Sequence, residues 1–124
     1  MNERSDALTE KIIGAAIEVH RVLGPGLLES IYEQALALEL DMRGVHCEQQ
    51  VEVDVLYKGH VIKGQRLDLI VEQQVVVETK SVAKLPNVAM AQVLSYLKAT
   101  GLERGLLLNF GCSRLVDGIK RISL

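Results

Sequence analysis

Two largely aliphatic runs joined by a very short polar spacer constrain the fold of this chain more than any other feature. The runs cover residues 66–71 and 75–80, and the spacer is Glu-Gln-Gln at 72–74. Three residues are too few for anything but a turn, so the runs are predicted to form an antiparallel hairpin. A three-residue loop places these pairs on one face: Asp68 opposite Glu78, and Arg66 opposite Lys80.

The two acidic residues of this hairpin predict a cation site. Carboxylates that face each other repel, and a divalent cation removes that penalty. Mg²⁺ takes one or two carboxylates and leaves its other positions to water and phosphate oxygens. Lys80 could then activate the attacking water or stabilise charge on the phosphate. The pattern is typical of a metal-dependent phosphodiesterase. The alternative is a cross-strand ion pair between Asp68 and Lys80, with Glu78 solvated.

Composition limits the class of protein. The 124 residues suffice for one domain, 1–124, and 48% hydrophobic with 3% aromatic residues predicts an aliphatic core. A net charge of −2 argues against wrapping nucleic acid by bulk electrostatics, so any such contact is expected to be local. Cys47 and Cys112 lack metal-type spacing and, with no N-terminal secretory segment, are expected to be reduced in a cytoplasmic protein. The apolar runs are too short to span a membrane.

Hydrophobic periodicity predicts alternating helices and strands. Helices are expected at about 6–23, 28–43 and 88–100, and strands at about 47–57, around Asp68, at 75–80, at 105–110 and around 121–122. Ser5 is expected to cap the first helix, and Gly44 and Gly101 to end the other two. The strand, helix, strand order around the third helix implies a crossover onto a mixed sheet.

Two helices carry further polar residues at helical spacing. Gln92 and Tyr96 are four apart and share a face of the third helix. Glu29 and Tyr32 are three apart at the start of the second helix. The alternative interpretation of these residues is structural: Glu29 is a first-turn acid favoured by the helix dipole, and both tyrosines lie at the edge of the core.

Residues 26–32, Gly-Leu-Leu-Glu-Ser-Ile-Tyr, match the Gly-x-x-Glu-x-x-Tyr pattern of the GxxExxY family, which resembles the PD-(D/E)XK nuclease superfamily. The resemblance covers nearly the whole chain, including 19–20, 23–26, the Asp68 strand, 78–80, 92–96 and 108–111. It implies a restriction-endonuclease-like three-layer α/β fold, in which a central mixed β-sheet is flanked by helices. Leu67 stands before Asp68 where the superfamily name has proline, which lowers the specificity of the match.

The resemblance also implies a role for each residue of the expected site. Asp68 and Glu78 would bind Mg²⁺ or Mn²⁺, and Glu29 would supply a further carboxylate from its helix. Lys80 would be catalytic. Gln92 and Tyr96 resemble the Gln-x-x-x-Tyr motif beside the active centre of RecB-like nucleases, and would position the phosphate or Lys80.

The expected function is therefore a Mg²⁺-dependent nuclease that cleaves DNA or RNA. Two alternatives remain open at this point: a non-catalytic interaction module that keeps the nuclease fold, and a nuclease subunit that is inactive without a partner. The small size and the lack of a separate recognition domain also suggest a homodimer.

Overall fold

The computed structural model describes residues 3–124, and these form three α-helices and five β-strands. In chain order they are α1 (Glu3–Leu23), α2 (Glu29–Met42), β1 (Cys47–Tyr57), β2 (His60–Val71), β3 (Val75–Lys80), α3 (Val88–Thr100), β4 (Arg104–Asn109) and β5 (Ile119–Ser123). A short 3₁₀ helix, Leu115–Gly118, precedes β5. The predicted order of helices and strands is confirmed. Gly101 ends α3 in the left-handed conformation, as expected of a C-terminal glycine.

The five strands form one sheet in the order β1-β2-β3-β4-β5. Neighbouring strands are antiparallel except β3 and β4, which are parallel. The exception follows from the connection, because α3 carries the chain from the end of β3 back to the start of β4. The predicted mixed sheet is confirmed, and the strand expected around 121–122 is β5, at one edge.

The β2–β3 hairpin has the predicted three-residue loop. Val71 pairs with Val75, and the loop residues Glu72 and Gln73 adopt positive φ values of 51° and 56°. The paired register ends early, at Leu69 and Val77.

The predicted pairing of Arg66 with Lys80 is wrong. Arg66 pairs with Glu52 of β1, because β2 remains in register with β1 while β3 continues beside β4. A fork therefore opens between β2 and β3 at Asp68.

Two hydrophobic clusters pack on opposite faces of the sheet and make three layers. One lies under α1 and α2 and includes Leu69 and Val77; the other lies under α3 and includes Leu67 and Val76. Leu67 and Leu69 are two apart on β2 and would share a face in a regular strand. They belong to different clusters, so the strand alternation breaks at Asp68.

Two details of the sequence prediction need correction. Ser5 does not cap α1: it lies inside the helix, is 1% exposed, and its hydroxyl donates to Gln74 in the hairpin loop. The alternation in β1 predicts a half-buried strand throughout, yet Val55, Leu56 and Tyr57, at the end of this edge strand, are exposed. No helix within residues 3–124 is both long and apolar enough to cross a lipid bilayer.

Candidate active site

The fork between β2 and β3 brings Asp68 and Glu78 together. Beyond the last paired residues, the backbone amides of Asp68 and Thr79 have no partner in the β2–β3 ladder. Side chains satisfy them instead: Glu78 Oε1 accepts from the Asp68 N–H at 2.8 Å, and Asp68 Oδ2 accepts from the Thr79 N–H at 2.9 Å. The Thr79 hydroxyl also donates to Asp68 Oδ2 at 2.8 Å. These bonds fix both carboxylates in the fork.

Glu78 is the most perturbed acid of this cluster. Its side chain is 3% exposed, and burial raises its pKa to about 7, with the charge of Asp68 adding to the effect. The Asp68 N–H and the nearby Lys80 oppose the rise without cancelling it. The alternative in which Glu78 is solvated is therefore wrong, since the strand buries it against a second acid.

Lys80, the last residue of β3, stands beside the two acids. Its charge lowers the pKa of Glu29 and of Glu78, so its amine lies in their vicinity. Among residues 3–124 no carboxylate is within ion-pair distance of this amine, so the alternative ion pair with Asp68 is absent. The backbone is held in place, because the Lys80 carbonyl accepts from the Phe110 N–H at 2.8 Å.

Glu29 begins α2 and lies at the rim of the fork, exposed to solvent. Partial burial raises its pKa, Lys80 lowers it, and the charge of Asp68 raises it again. The pKa of Glu29, at the helix end, therefore depends on the charges of both Lys80 and Asp68.

Glu33 is a fourth acid of the site, and the sequence interpretation missed it. It is 7% exposed and lies within hydrogen-bonding range of Asp68, and burial is the main cause that raises its pKa. Its oxygens accept from Gln50 at 2.7 Å and from Gln49 at 3.1 Å. A signal was present in the sequence, because Glu33 is four residues after Glu29 and so shares its helix face.

The Gly-x-x-Glu-x-x-Tyr segment works as one structural unit. Tyr32 is fully buried and stacks on Phe110 with ring centroids 4.6 Å apart. Its hydroxyl donates to the Gly24 carbonyl and accepts from the Leu27 N–H, which fixes the loop before α2. Tyr32 is therefore a structural residue, and it lies inside the core and not at its edge as the structural interpretation expected.

The same loop is tied to the end of β3. Ser81, the residue after Lys80, donates its hydroxyl to the Leu27 carbonyl at 2.7 Å. This bond joins the start of α2 to the exit of the strand, which sets Glu29 beside Lys80.

Gln92 and Tyr96 approach the site from α3. Tyr96 is buried, and its hydroxyl donates to the Arg66 carbonyl at 3.0 Å and is hydrogen-bonded to the Gln92 side chain. Burial, followed by the charges of Glu78 and Asp68, raises the pKa of Tyr96 to about 12. The pair thus lies near the acids and holds the backbone of β2 just before Asp68.

The donor set suits a hard divalent cation. Within residues 3–124 no three His, Cys, Asp or Glu side chains are close enough to form a metal cage. Mg²⁺ does not need one, since it is commonly held by one or two carboxylates with water and phosphate in the other positions. Asp68 and Glu78 each use one oxygen in the bonds across the fork, which leaves Glu78 Oε2 and Asp68 Oδ1 for a cation, and Asp68 Oδ1 is also 3.4 Å from Gln50 Nε2. The residues present therefore fit Mg²⁺ or Mn²⁺.

Comparison with known proteins finds similarity over most of the chain. The family model of the PD-(D/E)XK nuclease superfamily matches residues 6–122. The solved structure of a protein named SSO0001 is similar to this chain, with a TM-score of 0.58 and 27% sequence identity over 76% of this chain. The similarity spans 48% of that protein, about half its length. No curated protein matches the chain. The sheet and its flanking helices form a restriction-endonuclease-like α/β fold, and the chain belongs to the PD-(D/E)XK nuclease superfamily.

Proposed function

We propose that the protein is a metal-dependent phosphodiesterase that cleaves DNA or RNA. The observation that carries the proposal is the pair of carboxylates of Asp68 and Glu78, locked together across the fork with Lys80 beside them. Burial of Glu78 beside a second acid costs stability unless a cation or a proton compensates. Membership of a nuclease superfamily supports a nuclease-type function.

Each residue of the fork then has a role. Asp68 and Glu78 would hold Mg²⁺ or Mn²⁺, and Glu29 would add a carboxylate from the rim. Once bound, the cation supplies Lewis-acid polarisation of the phosphate and a lowered pKa for bound water. Lys80 would orient or deprotonate the attacking water, or stabilise the charge that develops on the phosphate.

Gln92 and Tyr96 would act through position. The Tyr96 hydroxyl fixes the Arg66 carbonyl, Gln92 contacts that hydroxyl, and Arg66 lies two residues before Asp68 on β2. They would thus help to orient Asp68, or the phosphate, from the α3 side of the fork.

The test is an incubation of the pure protein with labelled single- and double-stranded DNA and RNA, in Mg²⁺, in Mn²⁺ and in chelator. We expect cleavage that needs the metal and that Asp68→Asn abolishes. Lys11→Ala, at an exposed position of α1, should cleave like the wild type. A wild type that binds nucleic acid yet cleaves none of these substrates with either metal would favour the non-catalytic interaction module, and activity restored by a cell extract would favour a subunit that needs a partner.

Finer assignments made from the sequence stay predictions. Membership of the GxxExxY family is supported by the match of residues 26–32. The choice of Mg²⁺ or Mn²⁺, a cytoplasmic location and a homodimer are likewise predicted. Light scattering across a wide concentration range tests the homodimer, and a constant monomer mass would contradict it.

A further inference from the structure

Gln50 has an unusual backbone conformation in the middle of a strand. Its φ is 52°, in the left-handed region that non-glycine residues rarely adopt. Within residues 3–124 the other non-glycine residues with positive φ are Lys58, Glu72 and Gln73, all in hairpin turns where the chain must reverse. Gln50 lies inside β1, so no turn accounts for its conformation.

Gln50 lies opposite Asp68 of β2. Its neighbours Gln49 and Val51 pair with Leu69 and Leu67 of β2, which leaves Gln50 facing the residue between them. The alternation of β1 breaks here as that of β2 does at Asp68. Cys47 packs on the side of α1 and α2, whereas Val51, four residues later, packs on the side of α3. The alternation of side chains between the two faces of the sheet is thus interrupted at the same position in both strands.

The side chain of Gln50 lies between two acids. Its Nε2 donates to Glu33 Oε1 at 2.7 Å and is 3.4 Å from Asp68 Oδ1. The other oxygen of Asp68 is held by Thr79. The Gln50 amide is therefore a neutral donor that bridges Glu33 and Asp68, and it faces the Asp68 oxygen left for a cation. Glu33 and Asp68 already lie within hydrogen-bonding range of each other, so without this donor their repulsion would be less compensated and would turn Asp68 away.

We propose that Gln50 is a positioning residue: its left-handed backbone aims its amide between Glu33 and Asp68 and so orients Asp68 for a divalent cation. The inference rests on the proposed function, because it takes Asp68 as a metal ligand. Residues that hydrogen-bond to metal ligands orient them, and their loss commonly weakens metal affinity tenfold or more.

The experiment compares Mn²⁺ affinity, by calorimetry, with the stability of the metal-free protein. Gln50→Met keeps the side-chain length and removes the amide. Gln50→Gly removes the amide and also relaxes the left-handed backbone. We expect both variants to raise the Kd for Mn²⁺ about tenfold, while the metal-free melting temperature of Gln50→Gly does not fall. A merely structural role of Gln50 predicts the opposite for Gln50→Gly, a lower melting temperature with unchanged affinity.

Gln49→Met is the matched control. Gln49 is the adjacent residue, and it donates to the same Glu33 at 3.1 Å without an unusual φ and without a bond to Asp68. Its Kd for Mn²⁺ should stay within about threefold of the wild type, well below the loss expected for a residue that orients a ligand. If the Gln50 variants bind Mn²⁺ like the wild type, or if Gln49→Met loses as much affinity, the inference is overturned.

These outcomes separate the inference from the proposed function. A wild type that binds Mn²⁺ but cleaves no nucleic acid would contradict the nuclease activity. The Kd values of the Gln50 variants for Mn²⁺ would still test the inference about Gln50. A wild type that binds no Mn²⁺ would overturn both.

Discussion

Asp68 and Glu78 hold each other in place through their backbones as well as their side chains. Glu78 Oε1 accepts from the N–H of Asp68, and Asp68 Oδ2 accepts from the N–H of Thr79, the residue after Glu78. Each acid thus replaces a hydrogen bond that the diverging strands cannot form. The site depends on the fork, because paired strands would satisfy these amides and leave the carboxylates free to move apart.

The raised pKa of Glu78 predicts a pH dependence of stability in the absence of metal. Its folded pKa is about 7, against an ordinary value of 4.5. Between these values the folded state holds a proton that the unfolded state has lost, so the free energy of unfolding falls as pH rises from 4.5 towards 7. The full difference corresponds to about 3 kcal/mol. Glu78→Gln cannot ionise and should be more stable than the wild type at pH 8, with little difference at pH 4.5.

Urea unfolding in chelator at several pH values measures this effect. Glu48→Gln, at an exposed position of β1, should follow the wild type at every pH. If the free energies of unfolding of Glu78→Gln and wild type changed with pH in the same way, Glu78 would ionise normally in the fold.

The Thr79 hydroxyl donates a hydrogen bond to the Asp68 carboxylate. Thr79→Val removes this bond and keeps the one from the Thr79 N–H. The residue is fully buried, and its hydroxyl donates to Asp68 Oδ2 at 2.8 Å. Bonds to charged groups contribute more than neutral ones, so the loss should be about 1.5–3 kcal/mol in the free energy of unfolding.

Thr9→Val is the control for this change. Thr9 is also buried, but its hydroxyl donates to the neutral Ser5 carbonyl within α1. Its loss should be below about 1 kcal/mol by chemical denaturation. Equal losses at the two positions would indicate that the charge of Asp68 adds nothing.

The sequence predicted the architecture well because its signals were local. The loop length at 72–74 set the hairpin register, Gly101 ended α3, and the α3 crossover made β3 and β4 parallel. The fork was not predictable in this way. It arises because β2 remains paired with β1 while β3 remains paired with β4. No single segment of the sequence determines which of two neighbours a strand pairs with.

The site was predictable only in part for the same reason. Asp68, Glu78 and Lys80 stand on adjoining runs whose polar residues are conspicuous among aliphatic ones. Glu33 and Gln50 stand among other polar residues, and their roles depend on contacts between α2, β1 and β2. The left-handed conformation of Gln50 carries no sequence signal, since glutamine is not a residue that favours it.

Two Gly→Ala changes should have opposite effects on stability. Gly14 lies inside α1, and an added Cβ would be 3.5 Å from the Arg43 guanidinium, an ordinary contact. Gly14→Ala should therefore stabilise the fold by about 1 kcal/mol through helix propensity. At Gly111 the added Cβ would overlap the Val82 backbone, which cannot yield because Asn109 binds both its N–H and its carbonyl. Gly111→Ala should cost about 3 kcal/mol.

Melting curves of both variants against the wild type check this pair. A neutral Gly111→Ala would mean that the segment after β3 can move, and with it the strand end that carries Lys80.

Lys80→Met separates metal binding from chemistry. Lys80 makes no ion pair within residues 3–124, and its charge opposes the raised pKa values of Glu29 and Glu78. Its removal should raise both pKa values further, which favours the proton, but it also removes a positive charge that repels the cation, so Mn²⁺ should bind at pH 8 with an affinity close to that of the wild type. A lysine that activates water or stabilises the phosphate acts on the chemical step, so kcat should fall at least about a hundredfold with little change in KM. Calorimetry and single-turnover cleavage measure the two quantities, with Lys11→Ala as the control. A loss of Mn²⁺ binding as large as the loss of rate would instead assign Lys80 to the structure of the acidic fork.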